Sequence, residues 1–410
     1  MAKCTRRSVL KGAASAVLVS SWARNLLADP QEVKFALIAP LAGPWARGGV
    51  MMRQGAELAI EDINKAGGIK ALGGAKVRLL IADTGDSPEK ARNAAQRIVS
   101  DNPDLAGGTG CWLSSFTLAV TEVTERAKVP WLANGFADQV TARGFKYVFQ
   151  TIVASSQMSH VIKATSIAMA QQVGAQLKKV AIIAENTPAA QITAKSLSAS
   201  DYKEAGVDVV MNETFSPPLA DAGSLIQRVR ISKPDLVLLL SMSAQDNKVL
   251  LDKMREFGMP PSEVPVMVLG AQSAAPELGQ LVGKNNLEGV FGTFSNWPKL
   301  KQEDLVKRMR ERYSESWIGQ DQISTYGDIW LLKEAVEEAH SAAPEKVADV
   351  LRAIDLTDGV ADYYSGNRIK FDSSGRLVNA GMVIVQWQNG RPTLVYPEAS
   401  DVARPHWPQK

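Results

Sequence analysis

Apolar strands and amphipathic helices alternate from residue 33 onward, and this alternation restricts the fold more than any other feature of the sequence. An apolar run over residues 33–39 is followed by a Gly- and Pro-containing loop over 40–49, and apolar residues then recur at helical spacing over 52–66. A second strand is predicted over 76–83. The alternation returns after residue 151, with strands predicted over 179–184, 207–212, 235–241 and 264–269.

Alternation of this kind builds parallel sheets that are covered by helices on both faces, so the sequence predicts an α/β chain. A chain of 410 residues is longer than a domain with one ordinary hydrophobic core, so its length indicates two domains. In the last part of the chain we expect three helices, over 302–317, 324–340 and 345–354, and a hairpin of strands 381–387 and 392–396 around an Asn-Gly turn.

The stretch between residues 107 and 128 combines a Gly-rich strand end, a tight turn and a helix that begins with Ser114 and Ser115. We expect Ser114 to be the N-cap. The remaining N–H groups of the first turn and the positive end of the helix dipole then form a site for a small carboxylate. The alternative is that both serines only cap the helix. Apolar residues at helical spacing define its buried face: Phe116, Ala119, Val120, Val123 and Ala127.

Two tryptophans are candidates for the wall of this site. The loops over 40–49, 110–115 and 133–138 each follow a strand, and in parallel sheets ligands bind at the edge where the strands end. Trp45 and Trp112 lie in two of these loops, and we expect them to flank the helix start. The alternative is that both rings only pack against the core.

Residues 1–28 are predicted to be an export signal. Arg6 and Arg7 precede a mildly apolar run over 12–23, which is too short to span a membrane. The twin arginine favours Tat export, with an ordinary Sec signal as the alternative, and we expect cleavage after Ala28. This segment holds five of the 46 basic residues and none of the 43 acidic ones, so the remaining chain is slightly acidic and gives no case for nucleic-acid binding.

No catalytic or metal-binding pattern stands out. The sequence lacks a phosphate-binding loop and a GxSxG motif, and its three histidines have no spacing that suggests a partner. Cys111 is the lone cysteine once the signal is removed, so no intramolecular disulfide forms, and we do not expect it to be a nucleophile. We therefore predict a protein that is not an enzyme and that needs no cofactor or metal.

Six fragments carry a family resemblance through their order and spacing. They are GPWARGG, GAELAIEDINKAGGI, IADTGDSPEKA, GTGCWLSSFT, VPWLANGFADQVTARGFKYVFQT and FDSSGRLVNAGMVIVQW. In these the chain resembles the periplasmic solute-binding proteins of the branched-chain amino acid type, which serve ABC importers. The resemblance implies the type I periplasmic binding fold, two doubly wound parallel-sheet lobes joined by three crossover strands. It divides the chain into a signal (1–28), lobe 1 (29–152 and 295–364) and lobe 2 (153–294 and 365–410).

The resemblance also implies a ligand site between the lobes. The family's carboxylate-binding serine falls on Ser114 or Ser115, and its second group of contacts falls on Gly135, Phe136 and Ala137. Ala137 occupies a position in this loop where related proteins often carry a threonine, and it is expected to offer its backbone N–H to the ligand instead.

In the second lobe the sequence departs from the amino-acid binders. The position at which the amino-acid binders carry a carboxylate for the ligand's ammonium group is occupied here by Gln272. An amide cannot neutralise a cation. We therefore expect a carboxylate solute without an α-amino group, or an amide, held with the help of Ser155, Ser243, Gln245 and Gln272. The alternative is that Glu185 or Asp138 binds the ammonium group.

Together these patterns predict an extracytoplasmic, periplasmic binding subunit of an ABC importer. It would capture a small carboxylate-bearing solute by closing its two lobes, and a membrane permease with its ATPase would recognise the closed form. We expect a monomer. The alternative function is a ligand-sensing subunit that presents its bound state to a membrane receptor.

Overall fold

Two sheets, each flanked by helices, form the chain. The computed structural model describes residues 32–397 and 402–408, and within them a first sheet of five strands is parallel throughout. The elements of this part are β1 Val33–Ala39, α1 Ala46–Lys65, β2 Val77–Asp83, α2 Pro88–Asp101, β3 Leu105–Gly110, α3 Ser114–Arg126, β4 Trp131–Ala133 and β5 Val148–Gln150. The strand order is β2-β1-β3-β4-β5, so the chain winds outward from β1 in both directions.

The second sheet follows the same winding scheme and ends in a hairpin. Its elements are α4 Ser155–Gln172, β6 Lys179–Glu185, α5 Pro188–Ser196, α6 Tyr202–Glu204, β7 Asp208–Phe215, α7 Gly223–Ser232, β8 Leu236–Leu240, α8 Ala244–Glu256, β9 Val266–Leu269, α9 Pro276–Val282, α10 Lys284–Leu287 and β10 Phe291–Phe294. After these come α11 Glu303–Tyr313, α12 Gln320–Ala339, α13 Pro344–Ala353, β11 Asp355–Leu356, β12 Ile369–Lys370, β13 Val383–Gln388 and β14 Arg391–Tyr396.

The second sheet has the order β14-β13-β10-β9-β8-β6-β7. In it, β13 runs antiparallel to β10 and to β14, and the other neighbouring strands are parallel. A small antiparallel pair, β11 and β12, stands apart from both sheets. Short 3-10 turns lie at Lys70–Leu72, Asp138–Val140, Ala271–Ala274, Leu300–Gln302 and Gly359–Tyr363, and a π turn lies at Leu197–Asp201. The predicted α/β class with two parallel-sheet lobes is confirmed.

Helices from the last third of the chain return to the first lobe. Helix α12 packs along α1 and against β3, and α13 also contacts β3. Arg308 of α11 pairs with Asp62 of α1 through Nη1 to Oδ1 at 2.7 Å. The predicted lobe boundary at residue 365 assigns residues 369–377 to the second lobe. In the structure this segment contacts the first sheet, where Arg376 forms a β-bridge with Gln150 of β5.

Three crossing segments join the lobes and are tied to one another by side chains. The backbone N–H of Val153 in the first segment donates to Ser295 Oγ in the second at 2.9 Å. The N–H of Ser365 in the third donates to Asn296 Oδ1 at 2.8 Å, and Asn296 Nδ2 donates to Ser324 Oγ at 2.8 Å. These bonds hold the three crossings side by side, as a hinge requires.

Most element bounds agree with the sequence to within a few residues, and two disagree for identifiable reasons. The loop predicted over 40–49 ends early, because α1 already begins at Ala46. In the sequence, the Gly48–Gly49 pair is typical of a loop. In the structure, a Cβ at Gly48 would lie 2.5 Å from the Trp112 ring, and one at Gly49 would lie 1.7 Å from the Pro40 carbonyl oxygen. Close approach, rather than turn formation, therefore explains these glycines.

The helix predicted over 302–317 is shorter than expected, because Ser314 adopts a left-handed conformation (φ 56°) that ends α11 at Tyr313. Within the described part of the chain, no helix combines the length and the apolar character that a bilayer crossing needs. The predicted export signal lies outside the described residues.

Candidate solute-binding cleft

Three successive residues between the end of β3 and the start of α3 have positive φ. Gly110, Cys111 and Trp112 have φ values of 123°, 81° and 59°. A non-glycine residue with positive φ is uncommon, and two in succession store strain that surrounding contacts must hold. Trp112 supplies such contacts, because its ring packs on Gly48 and its indole Nε1–H donates to Asp321 Oδ2 at 3.2 Å.

Helix α3 begins at Ser114, so the prediction that Ser114 is the N-cap is wrong. Leu113 is the N-cap, and the first intrahelical bond runs from the Thr117 N–H to the Leu113 carbonyl at 2.9 Å. The N–H groups of Ser114, Ser115 and Phe116 precede this bond. The strained turn already directs the chain into the helix, which leaves the Ser114 side chain available for another contact.

That contact is with the loop after β4. Ser114 Oγ accepts a hydrogen bond from the backbone N–H of Ala137 at 3.0 Å, so this N–H is engaged within the protein rather than offered to a solute as predicted. Ser115, one residue on, is half-buried.

Gly135 and Phe136 lie in the loop after β4, which packs against the start of α3. A Cβ at Gly135 would lie 2.6 Å from Thr117 Oγ1 and 3.1 Å from Ser114 Cα, so only glycine allows the loop to contact α3 this closely. Gln150 Nε2 donates to the Gly135 carbonyl at 2.7 Å and thereby supports the loop from below. The structure thus brings together Ser114, Ser115, Gly135, Phe136 and Ala137 as predicted, although the bonds among them differ.

Ser155 lies where the two lobes meet. It is fully buried as the first residue of α4, and its hydroxyl donates to the Phe136 carbonyl at 3.1 Å and lies 3.4 Å from the Ala189 carbonyl of α5. Helix α5 of the second lobe in turn packs against α3 of the first. Ser155 therefore links the lobes, and its hydroxyl proton is already engaged.

Three further predicted residues lie at the strand ends of the second sheet. Ser243 caps α8, since its hydroxyl accepts the Asp246 N–H at 3.3 Å, and Gln245 is exposed on the first turn of the same helix. Gln272 follows β9 and is 4% exposed, yet its Nε2 has no hydrogen-bond partner among the described residues. Of the three, Gln272 is the one whose polar group is both buried and unpaired.

Trp45, the other predicted wall residue, is the N-cap of α1. Its ring meets that of Phe116 edge to face, with centroids 5.7 Å apart. Its Nε1 is buried and also has no partner in the described part of the chain. Trp45 therefore contacts the first turn of α3, and Trp112 lies in the turn just before it.

Arg47 forms an ionic contact between the lobes that the sequence did not reveal. Its Nε lies 2.9 Å from Glu277 Oε1 of α9 in the second lobe, and its Nη2 lies 2.6 Å from Glu315 Oε2. Gln54 Nε2 also donates to Glu315, at 2.9 Å. An arginine in a loop rich in small residues is a weak signal, and the distant partners could not be read from spacing.

Several carboxyl groups near the cleft are buried. Burial raises the pKa of Asp321 to about 7 and that of Glu185 to about 7. Glu185 ends β6, where it accepts from the Thr187 hydroxyl at 2.8 Å and the Met242 N–H at 3.0 Å.

Asp138 is bound differently, because Arg376 Nη1 lies 3.2 Å from its Oδ1 and Ser156 donates to it through both N–H and hydroxyl. Asp138 therefore already has a cation, whereas Glu185 has only neutral donors.

Cys111 lies in the strained turn but is fully buried, and burial raises the pKa of its thiol, which keeps the reactive thiolate scarce. Among residues 32–397 and 402–408 no group of three or more His, Cys, Asp and Glu side chains is arranged to hold a metal ion.

Comparison with known proteins places this geometry in context. A family model described as periplasmic binding protein matches residues 32–392. The Leu/Ile/Val-binding protein homolog 8 of Brucella suis biovar 1 (strain 1330) is 28% identical over 411 residues, covering 97% of this chain and 98% of the relative.

Two solved structures share the fold at lower identity. LivJ, a branched-chain amino acid transporter substrate-binding protein of Streptococcus pneumoniae solved with isoleucine, superposes with a TM-score of 0.76 at 19% identity, covering 91% of this chain and 99% of LivJ. A solute-binding protein of an R. palustris ABC transporter solved with benzoate gives a TM-score of 0.73 at 17% identity, covering 89% and 95%.

Proposed function

The chain belongs to the periplasmic binding protein family, and from this premise we propose that it is the extracytoplasmic solute-binding component of an ABC importer. Its cargo is a small solute that carries a carboxylate. The solute is held between the two lobes, and a permease with its ATPase receives it from the closed form. Export through the predicted twin-arginine signal belongs to the same proposal.

The observation that carries this proposal is the hydrogen bond from the Ala137 N–H to Ser114 Oγ. A hydroxyl oxygen can accept two hydrogen bonds and donate one. Because the Ala137 N–H occupies an acceptor position, the hydroxyl proton of Ser114 is left to donate elsewhere. A carboxylate, which is an acceptor only, matches this donor together with the N–H groups of Ser115 and Phe116 at the positive end of α3.

Contacts between the lobes support closure around a solute. Arg47 joins the first lobe to Glu277 of the second, and bonds of Ser295 and Asn296 tie the crossing segments to one another. A solute that contacts both lobes shifts the population toward the closed form, which a permease can distinguish from the open form because the lobes change their relative position.

The test is a thermal-shift screen of the chain without its signal against small carboxylates, with the corresponding primary amides as controls. A ligand at a hundredfold excess over its Kd adds about 2.7 kcal/mol to the unfolding free energy. We expect carboxylates to stabilise the protein and their amides to do so far less. The Ser114→Ala variant should weaken binding at least fivefold, because it removes the hydroxyl proton that the carboxylate accepts. Ser115→Ala, which keeps its backbone N–H, is the control and should leave the affinity nearly unchanged. Equal stabilisation by acids and amides contradicts the proposal.

A further inference from the structure

Asparagine followed by glycine occurs twice in the chain, as Asn134–Gly135 and as Asn389–Gly390. In this dipeptide the asparagine side chain cyclises readily, because glycine has no Cβ to hinder attack by its backbone nitrogen on the side-chain amide carbon. The two copies have opposite surroundings in the structure. The effect of the dipeptide can therefore be separated from that of its setting within one molecule.

Asn134 is 7% exposed, and both polar atoms of its side chain are held. Its Oδ1 accepts from the Thr109 hydroxyl at 3.2 Å, and its Nδ2 donates to Thr151 Oγ1 at 3.1 Å and to Asp328 Oδ2 at 3.0 Å. The amide carbon can turn toward the Gly135 nitrogen only if these buried bonds break, which is costly. The fold therefore protects this copy.

Asn389 is exposed in the turn between β13 and β14, and its side chain makes no hydrogen bond within the described part of the chain. Its backbone N–H donates to Glu288 Oε1 at 3.0 Å, and the Gly390 N–H donates to Glu288 Oε2 at 3.4 Å. Glu288 directly follows α10. The backbone of the turn is thus tied to the end of that helix, while the Asn389 amide is free to rotate.

The turn lies away from the candidate cleft. Strand β13 runs antiparallel to β10, and Gln386 pairs with Phe291, the first residue of β10. The turn that follows β13 is therefore at the edge where the parallel strands begin, whereas ligands bind at the edge where such strands end. A change at Asn389 acts on the second lobe without altering the predicted solute contacts.

We propose that Asn389 is a site of deamidation, that the Glu288 carboxylate slows the reaction by restraining the turn, and that Asn134 is protected by its hydrogen bonds. The Gly390 nitrogen gives its proton to solvent and attacks Cγ of Asn389, so that a five-membered succinimide closes. The bond between Cγ and Nδ2 breaks, and Nδ2 takes up a proton and leaves as ammonia. Water then opens the ring at either carbonyl and yields aspartate or isoaspartate, with no oxidant or reductant involved.

Both products place a second carboxylate beside that of Glu288, and like charges at close range repel each other. Isoaspartate also routes the main chain through the side-chain carbonyl carbon, which lengthens the two-residue turn by one backbone atom. We therefore expect deamidation to detach the hairpin turn from the end of α10.

Peptide mapping by mass spectrometry tests the proposal on the folded chain without its signal, incubated at mildly alkaline pH and then digested at mildly acidic pH. The exchange of the side-chain NH2 for OH is detected as an increase in mass. We expect the peptide that contains Asn389 to convert at least tenfold faster than the one that contains Asn134. Equal rates in the two peptides, or no conversion at Asn389, overturn the proposal.

Glu288→Ala tests the restraint, because it releases both N–H groups of the turn. It should raise the rate at Asn389 at least threefold, whereas Glu204→Ala, at an exposed position of α6, should not change it. The peptide with Asn134 shows whether the variant stays folded, since Asn134 converts when its buried bonds are lost. An unchanged rate at Asn389 in Glu288→Ala contradicts the restraint.

Asn389→Gln checks the assignment of the modified residue, because Gln386 and Gln388 lie in the same stretch of chain. Glutamine would have to cyclise through a less favourable six-membered ring, so this variant should lose the increase in mass. An increase in mass that persists in Asn389→Gln overturns the assignment to Asn389.

Discussion

The backbone nitrogen of Ala137 lies 3.0 Å from the hydroxyl oxygen of Ser114, and this bond joins the loop after β4 to the start of α3. Both residues are buried, at 0% and 4% exposure. The bond therefore contributes to stability as well as to the orientation of the hydroxyl, and the two roles can be separated by comparing Ser114 with its neighbour Ser115.

Ser114→Ala should destabilise the free protein by about 1–3 kcal/mol, because the buried Ala137 N–H loses its acceptor. Ser115→Ala should change the free energy of unfolding by less than about 0.5 kcal/mol, since Ser115 is only half-buried. Urea denaturation of both variants measures the difference. Equal stability of the two variants would show that the Ala137 N–H finds another partner.

Gly135→Ala should destabilise the protein by roughly 1–3 kcal/mol, because the new Cβ lies 2.6 Å from Thr117 Oγ1 and 3.1 Å from Ser114 Cα. The loop must then move away from α3, and solute affinity should fall with it. Gly223→Ala in α7 is the matched control, because there a Cβ meets only the Asp221 carboxylate at 3.0 Å. Similar urea midpoints for the two variants would argue against close packing at Gly135.

Arg47→Gln should shift the solute-free protein toward the open form, because it removes the ionic contact with Glu277 and Glu315. The Arg47 side chain is 23% exposed, so we expect a contribution of about 1 kcal/mol. Small-angle X-ray scattering should report a larger mean radius of gyration.

Arg53→Gln, on the same helix, serves as the control for Arg47→Gln. Arg53 pairs with Glu57 at 3.7 Å within α1 itself, and both residues are half-buried. This variant should leave the radius of gyration unchanged. A radius that is also unchanged in Arg47→Gln would mean that the ion pair does not hold the lobes together.

The buried carboxyl group of Asp328 predicts a pH dependence of stability. It accepts hydrogen bonds from Thr109 near the end of β3, from Asn134 just after β4 and from Tyr364, and burial raises its pKa to about 6. Because the folded state holds the proton more tightly than the unfolded state, its contribution is fully present below about pH 4 and is lost as the pH rises through about 6.

Between pH 4 and pH 7.5 the unfolding free energy should therefore fall less in Asp328→Asn than in the wild-type protein. The difference should be roughly 2–3 kcal/mol for a pKa shift of this size. Asp349→Asn, at an exposed position of α13, should keep the wild-type profile. Unfolding free energies from urea titrations at several pH values provide the measurement. A wild-type slope in Asp328→Asn would assign the dependence to other groups, such as Asp321 and Glu185.

Features that depend on neighbours in the chain were predictable from the sequence. The bounds of β1 are as predicted, and Asn389 and Gly390 form the predicted hairpin turn with φ values of 54° and 73°. Side-chain periodicity and turn chemistry act over a few residues, so they can be recognised without a tertiary structure. The α/β class follows from the same local patterns.

Contacts between residues far apart in the chain were decided only by the tertiary structure. Arg47 meets Glu277 because two lobes close on each other, and the Ala137 N–H reaches Ser114 because β3 and β4 are neighbours in one sheet. No local pattern encodes such pairs, since each depends on how whole elements are placed. The sequence alone therefore predicted which segments line the cleft, whereas packing determined which of their polar groups are already engaged within the protein.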